Sequence, residues 1–229
     1  MIRSLPRWVW FGGTVLALLA GMVNAVGYLS FDHQGVTHMT GTTTLVGISA
    51  LAGDYARLLR YLGVLVAFLS GAVISGSIIR ESTLHLGQRY GAALLLESGL
   101  LLVAVPLIHD HANVGLWIAA CACGLQNAMV STFSGAVVRT THMTGIVTDL
   151  GILLGHRLRG LEVDGRRIGL YLLLFGGFLA GGFLGALAFD YWKERTLLLP
   201  AALAASTGLG YIVYRRLQQS RASARQRKP

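Results

Sequence analysis

Charged side chains are scarce in this sequence. Asp, Glu, Lys and Arg make up 13% of its 229 residues against 54% hydrophobic ones, with a mean hydropathy of +0.61. A soluble domain of this length rarely tolerates that balance, whereas multi-spanning membrane proteins share it. Acidic residues are the scarcer sign, 10 against 19 basic ones, for a net charge of +9. The excess does not point to nucleic acid, because the basic residues sit in short loops and in the tail Arg215 to Lys228, where the positive-inside rule puts them. Cysteine is limited to Cys121 and Cys123, two apart in an apolar segment and so on different helix faces. Neither a mutual disulfide nor a zinc site follows, and both read as packing residues. No Walker motif occurs, so any coupling would be to an ion gradient. The N-terminal apolar run offers no clear Ala-x-Ala cleavage site and reads as a retained first span. The expectation is a membrane protein without a cofactor, an enzymatic role or a nucleic-acid partner.

Long apolar runs and a repeated phrase are present in their place. Six stretches can each cross roughly 30 Å of hydrocarbon as a helix: Trp8 to Ser30, Tyr61 to Ile79, Tyr90 to Ile108, Val114 to Val138, Ile168 to Phe189 and Leu197 to Tyr214. Two others, Thr40 to Ala52 and Thr144 to Gly155, would reach only about 20 Å at ~1.5 Å per residue. Each of these short segments follows directly on one pentapeptide, Thr37-His38-Met39-Thr40-Gly41 and Thr141-His142-Met143-Thr144-Gly145, 104 positions apart. The surroundings recur too. Gly21-Met22-Val23-Asn24-Ala25 is echoed by Gly124-Leu125-Gln126-Asn127-Ala128, and Phe68-Leu69-Ser70-Gly71 by Phe178-Leu179-Ala180-Gly181. The chain therefore reads as two homologous halves, 1–109 and 110–216, followed by a basic cytoplasmic tail, 217–229, without fixed structure.

Parity decides how the halves sit. If the short segments leave on the side they entered, each half has three crossings and the halves are inverted; if they cross, the halves are parallel. With both termini cytoplasmic, the re-entrant arrangement puts 15 Lys and Arg inside and 4 outside, against 14 and 5 for eight spans. The shortness of both segments points the same way. The expected fold is an all-α polytopic protein of the bacterial inner membrane: inverted repeats of three spans, each with one short broken or re-entrant helix.

Non-helical backbone at membrane depth is tolerable only where protein or a water-filled cavity surrounds it, so two symmetric breaks suggest a shared cavity. Thr37 and Thr40 can each cap the helix that follows, predicted to start at Thr40. The helix ends at Thr40-Gly41 and Thr144-Gly145 would present free amides and the positive end of a helix dipole. Asn24, Asn127, His38 and His142 stand around them. This set suits a small polar or anionic solute in a transporter or channel-like permease. Two carboxylates, Glu97 and Asp149, lie in apolar segments without an acidic counterpart in the other half, which makes them candidates for proton coupling; Arg139 and Arg157 are the ion-pair partners available to Asp149. A second reading uses His38 and His142 as haem or metal ligands in a membrane redox protein. Small residues such as Gly71, Ser75 and Gly76, and Gly177, Gly181 and Gly185, serve close helix packing, within the chain or between copies of it.

Gly124-Leu125-Gln126-Asn127-Ala128, then Arg139 to Gly145 and Thr148-Asp149-Leu150-Gly151, resemble the signature of the YoaK family (DUF1275), bacterial inner-membrane proteins of unknown function. The first half departs from that pattern, with Asn24 in place of the usual Asp and Thr42 in place of Asn. The resemblance implies a six-span membrane protein and supplies no substrate.

Overall fold

The computed structural model describes residues 7–30, 33–79, 89–134 and 138–226, with side-chain surroundings for residues 8–218 of these. Asp32, Arg3, Arg80 and the last three residues lie outside them. Eight helices follow in order: α1 (Arg7–Leu29), α2 (Met39–Leu51), α3 (Tyr55–Ile78), α4 (Arg89–His109), α5 (Asn113–Ser134), α6 (Met143–Leu158), α7 (Gly165–Trp192) and α8 (Leu198–Gln226). A 3-10 turn, Lys193–Leu197, joins the last two, with Lys193 at φ +50° breaking what would be one 54-residue apolar rod. Among the described residues there is no strand, and five apolar helical stretches, the fifth containing both α7 and α8, are long enough to cross a bilayer. α2, at 13 residues, is not.

The outer surface explains the composition. Phe11, Val66, Leu69, Leu172, Leu179 and Phe183 all point outward and exposed. So continuous an apolar exterior is costly in water and matched in lipid.

Helix boundaries depart from the sequence reading in three places. α3 begins at Tyr55 rather than Tyr61, because the Asp54 carboxylate accepts the Arg57 amide at 3.0 Å and caps the added turn. Asp164 does the same for α7 through the Arg166 amide, also at 3.0 Å. At the far end, where the sequence reading expects a tail without fixed structure over 217–229, α8 runs on through Gln226. The Ala, Arg and Gln of that stretch are good helix formers, and Gln218 reaches back to the Tyr214 hydroxyl.

Packing repeats with the sequence. Each early helix of one half lies on the third helix of the other, α1 on α7 and α3 on α5. A β-carbon at Gly181 would collide with the carbonyl oxygen of Leu18, and one at Gly21 with that of Phe178. The matching residues of the other pair do the same: Gly71 faces the Cys121 carbonyl and Gly124 the Phe68 carbonyl. These glycines are thus used inside the chain, where they let helix backbones touch.

The contacts also fix directions. α1 and α7 run parallel, with Trp10 at Gly169, Thr14 at Gly177 and Leu18 at Gly181. α3 and α5 are parallel as well, the Trp117 indole donating to the Arg60 carbonyl at 3.1 Å and Gly71 lying against Leu125. α1 and α5 run antiparallel: Trp8 meets Phe133 at 5.4 Å between ring centroids, while Leu16 meets Gln126. α4 packs on α5 and α8 and closes the bundle.

Candidate functional site

The two repeated phrases come together, and the links before them explain how. After α1 the chain turns back along the helix it has just left. The Gln34 amide donates to the Gly27 carbonyl at 3.2 Å, and the Thr37 amide to Asn24 Oδ1 at 3.4 Å. After α5 the same reversal occurs: Ser134 Oγ and the Val138 backbone bond to each other, and Gln126 Nε2 donates to Thr140 Oγ1 at 3.3 Å. At ~1.5 Å per residue these bonds carry the chain back by about 8 Å in the first half and about 12 Å in the second. α2 and α6 therefore start inside the bundle rather than at its ends.

Their N-terminal turns border one cleft of about 280 Å³. Thr37 to Thr40 form one wall and Thr141 to Thr144 another, with Phe68, Asn127, Ser131 and Arg139 completing it. Of the substrate-binding residues expected from sequence, His38, Thr40, Asn127, His142 and Thr144 line this cleft. Asn24 does not; it is buried and spends its amide oxygen on holding Thr37. Gly41 and Gly145 lie beneath the histidines instead of in the wall. A β-carbon at Gly145 would strike the His142 imidazole, so this glycine lets the ring fold over the first turn of α6.

The expected threonine caps are absent. α2 and α6 start at Met39 and Met143, with His38 and His142 at the cap positions and no side-chain cap bond at either. Thr37 is buried, its hydroxyl without a partner among the described residues. The hydroxyls within the helices turn backwards: Thr43, Thr44 and Thr148 donate to carbonyls four residues earlier, at 2.8, 3.2 and 2.9 Å. The first-turn amides of both helices are consequently free to meet a ligand, and each helix end carries roughly half a positive charge.

Arg139, which the sequence reading passed over as a site residue, adds a full charge. It lines the cleft, is exposed, and makes no ion pair among the described residues; no Asp or Glu lies in the wall. Its signal in the sequence was its position, two residues before the second phrase. The equivalent place in the first half is Gly35, so the charge sits on one side only. The histidines differ as well. His38 stacks on Tyr28 and shares a 2.9 Å hydrogen bond with its hydroxyl. His142 is exposed and has no such partner among the described residues.

Both carboxylates lie away from the cleft. Asp149 pairs with neither Arg139 nor Arg157; it accepts from Tyr171 Oη at 2.6 Å and Arg167 Nη2 at 3.2 Å, tying α6 to α7. Glu97 is in the middle of α4, 1% exposed, and neither oxygen has a partner among the described residues. Gln126 was noted only as part of the repeat, yet its amide joins three segments, donating 2.7 Å to the Leu16 carbonyl as well as to Thr140. Among the described residues no group of three or more His, Cys, Asp or Glu side chains could hold a metal ion. A second cavity of about 170 Å³, between α1, α4, α5 and α8, is walled almost wholly by apolar side chains.

Residues 12–210 match the family described as "Protein of unknown function (DUF1275)". The chain is also similar to the UPF0700 transmembrane protein YoaK of Bacillus subtilis (strain 168), 28% identical over 143 residues, which cover 60% of this chain and 63% of that relative. It thus spans just under two-thirds of the relative's length. No solved structure matches the chain. The family match takes in both THMTG phrases and every residue that walls the cleft, so the chain belongs to the DUF1275 family and is an all-helical membrane protein.

Proposed function

We propose that this chain is a small-solute permease of the bacterial inner membrane, and that the cleft between the N-terminal turns of α2 and α6 is its solute site. One observation carries the reading. Two helix starts that are distant in sequence, Met39 and Met143, open onto a single polar cleft whose wall holds Arg139, which makes no ion pair among the described residues. Helix N-termini buried within a bundle are costly unless something satisfies their amides, and a solute carrying polar or negative groups does so.

The architecture that suits this role is a pair of inverted halves, with α2 and α6 re-entering from opposite sides and both termini cytoplasmic. Three facts support it: the antiparallel run of α1 and α5, the parallel pairs α1–α7 and α3–α5, and the reversals after Leu29 and Ser134. In the proposed cycle the bundle rocks about this central site and exposes it to each side in turn. Glu97, buried and without a partner among the described residues, is the better placed proton carrier; Asp149 is held in an ion pair.

Uptake by proteoliposomes, screened over small anions, amino acids and nucleobases, tests the proposal. His38→Ala and His142→Ala are expected to weaken transport of whichever solute is carried, with folded yield nearly intact. Normal transport by both variants removes the cleft from the pathway.

A further inference from the structure

We infer that the solute is a small organic monoanion of the short-chain carboxylate class, its charged end at Arg139 and its carbon chain against Phe68, Met39 and Met143. The inference rests on the cleft being the solute site, and goes beyond that by reading which chemistry the wall accepts. Three features of the wall set the class. Among the described residues its only charged side chain is cationic, and the helix starts beside it add partial positive charge of the same sign. A planar guanidinium presents paired donors in the geometry of a carboxylate. Thr37, 1% exposed, belongs to the same wall and has a hydroxyl without a partner among the described residues.

The rest of the wall argues against a bare inorganic ion. Phe68, Met39 and Met143 give the lining apolar surface that a hydrated nitrate or sulfate leaves uncovered and a hydrocarbon chain covers. Charge count discriminates further. The cost of dehydrating an ion grows with the square of its charge, whereas its attraction to fixed positive groups grows only in proportion. One guanidinium and two partial helix charges therefore favour a monoanion over a dianion. The cationic side is also one-sided, since Gly35 stands where the first half would place a second arginine, so a solute with one charged end and one apolar end has a single preferred orientation.

The test is equilibrium binding to the purified full chain in detergent, using butyrate, its neutral amide butyramide, nitrate and sulfate. Butyrate should bind saturably, and about ten-fold or more tightly than each of the other three. Arg139→Gln should lower butyrate affinity by a similar factor, and Arg139→Lys by less, since it keeps the charge but loses the fork. Arg139 is exposed and makes no ion pair among the described residues, so both variants should unfold at the wild-type temperature. Equal binding of butyramide, tighter binding of nitrate or sulfate, or wild-type butyrate affinity in Arg139→Gln each overturns the assignment. Vesicle uptake separates it from the permease reading. Butyrate that binds as stated but is not carried leaves the site chemistry standing and defeats the permease; nitrate that is carried while butyrate does not bind does the reverse.

Discussion

Gly181→Ala adds one methyl group where α1 and α7 touch, and the consequence follows from geometry. The new β-carbon would overlap the Leu18 carbonyl oxygen, part of a helix backbone that cannot rotate aside. Restoring ordinary contact of about 3.5–4.0 Å requires the helices to separate by roughly 2 Å, and a gap of only ~0.5–1 Å already forfeits about a quarter to a half of the dispersion energy of each contact along the seam. Overpacking of this kind costs about 1–3 kcal/mol, and a rigid backbone opponent places this case at the upper end. Alanine's helix propensity returns about 0.8–1.0 kcal/mol. The net expectation is a loss of about 2 kcal/mol, the difference of those two figures. Gly182, one residue on, has nothing within 4 Å of its β-position, so Gly182→Ala should be neutral or slightly stabilising. Gly71→Ala repeats the collision against Cys121 in the other pair and should match Gly181→Ala. Unfolding of the detergent-solubilised protein, followed by far-ultraviolet circular dichroism, measures all three. Wild-type stability in Gly181→Ala, or an equal loss in Gly182→Ala, refutes the helix pairing described above.

Three further predictions concern orientation, tethering and coupling. Single cysteines placed in the turns at 53–60 and 160–167 of a Cys-free chain should react with an impermeant maleimide from outside at the first turn only; equal labelling of both defeats the inverted arrangement. Asp149→Asn and Tyr171→Phe remove the tie between α6 and α7, and a double-mutant cycle should give a coupling of about 1–2 kcal/mol, as for a hydrogen bond from a buried phenol to a part-exposed carboxylate, with solute binding unchanged; lost binding would place Asp149 in the site after all. Glu97→Gln should fold normally and carry solute without the pH dependence of the wild type, whereas an unchanged pH profile leaves Glu97 as a packing residue.

Much of the fold was legible because lipid imposes a crude length rule on the sequence. The long apolar runs became helices, and both short ones became short helices, since their apolar stretch ends at the turns around Gly53 and Gly160, which take positive φ. The repeated phrase was equally informative, because duplication placed both copies in equivalent surroundings. What escaped was side-chain destination. Thr37 looks like a cap, but Asn24 takes its amide and draws it into the core, leaving the cap positions to the histidines. Asp149 lay beside two candidate arginines in sequence, yet Arg167 and Tyr171 reach it from α7, a helix whose packing no local pattern reveals. In the sequence Arg139 reads as an orientation signal and as a possible partner of Asp149; only the reversal after α5 brings it to the cleft.

The central claim is that the two helix starts form one solute site, and protection from alkylation tests it directly. Thr40→Cys and Thr144→Cys, each alone in a chain with Cys121 and Cys123 replaced by alanine, put one thiol on each wall of the cleft at positions that are exposed in the fold. A small permeant maleimide should label both, and a transported solute should protect both with the same half-maximal concentration. Protection of one cysteine alone, or two protection curves with different midpoints, would mean that the phrases serve separate sites.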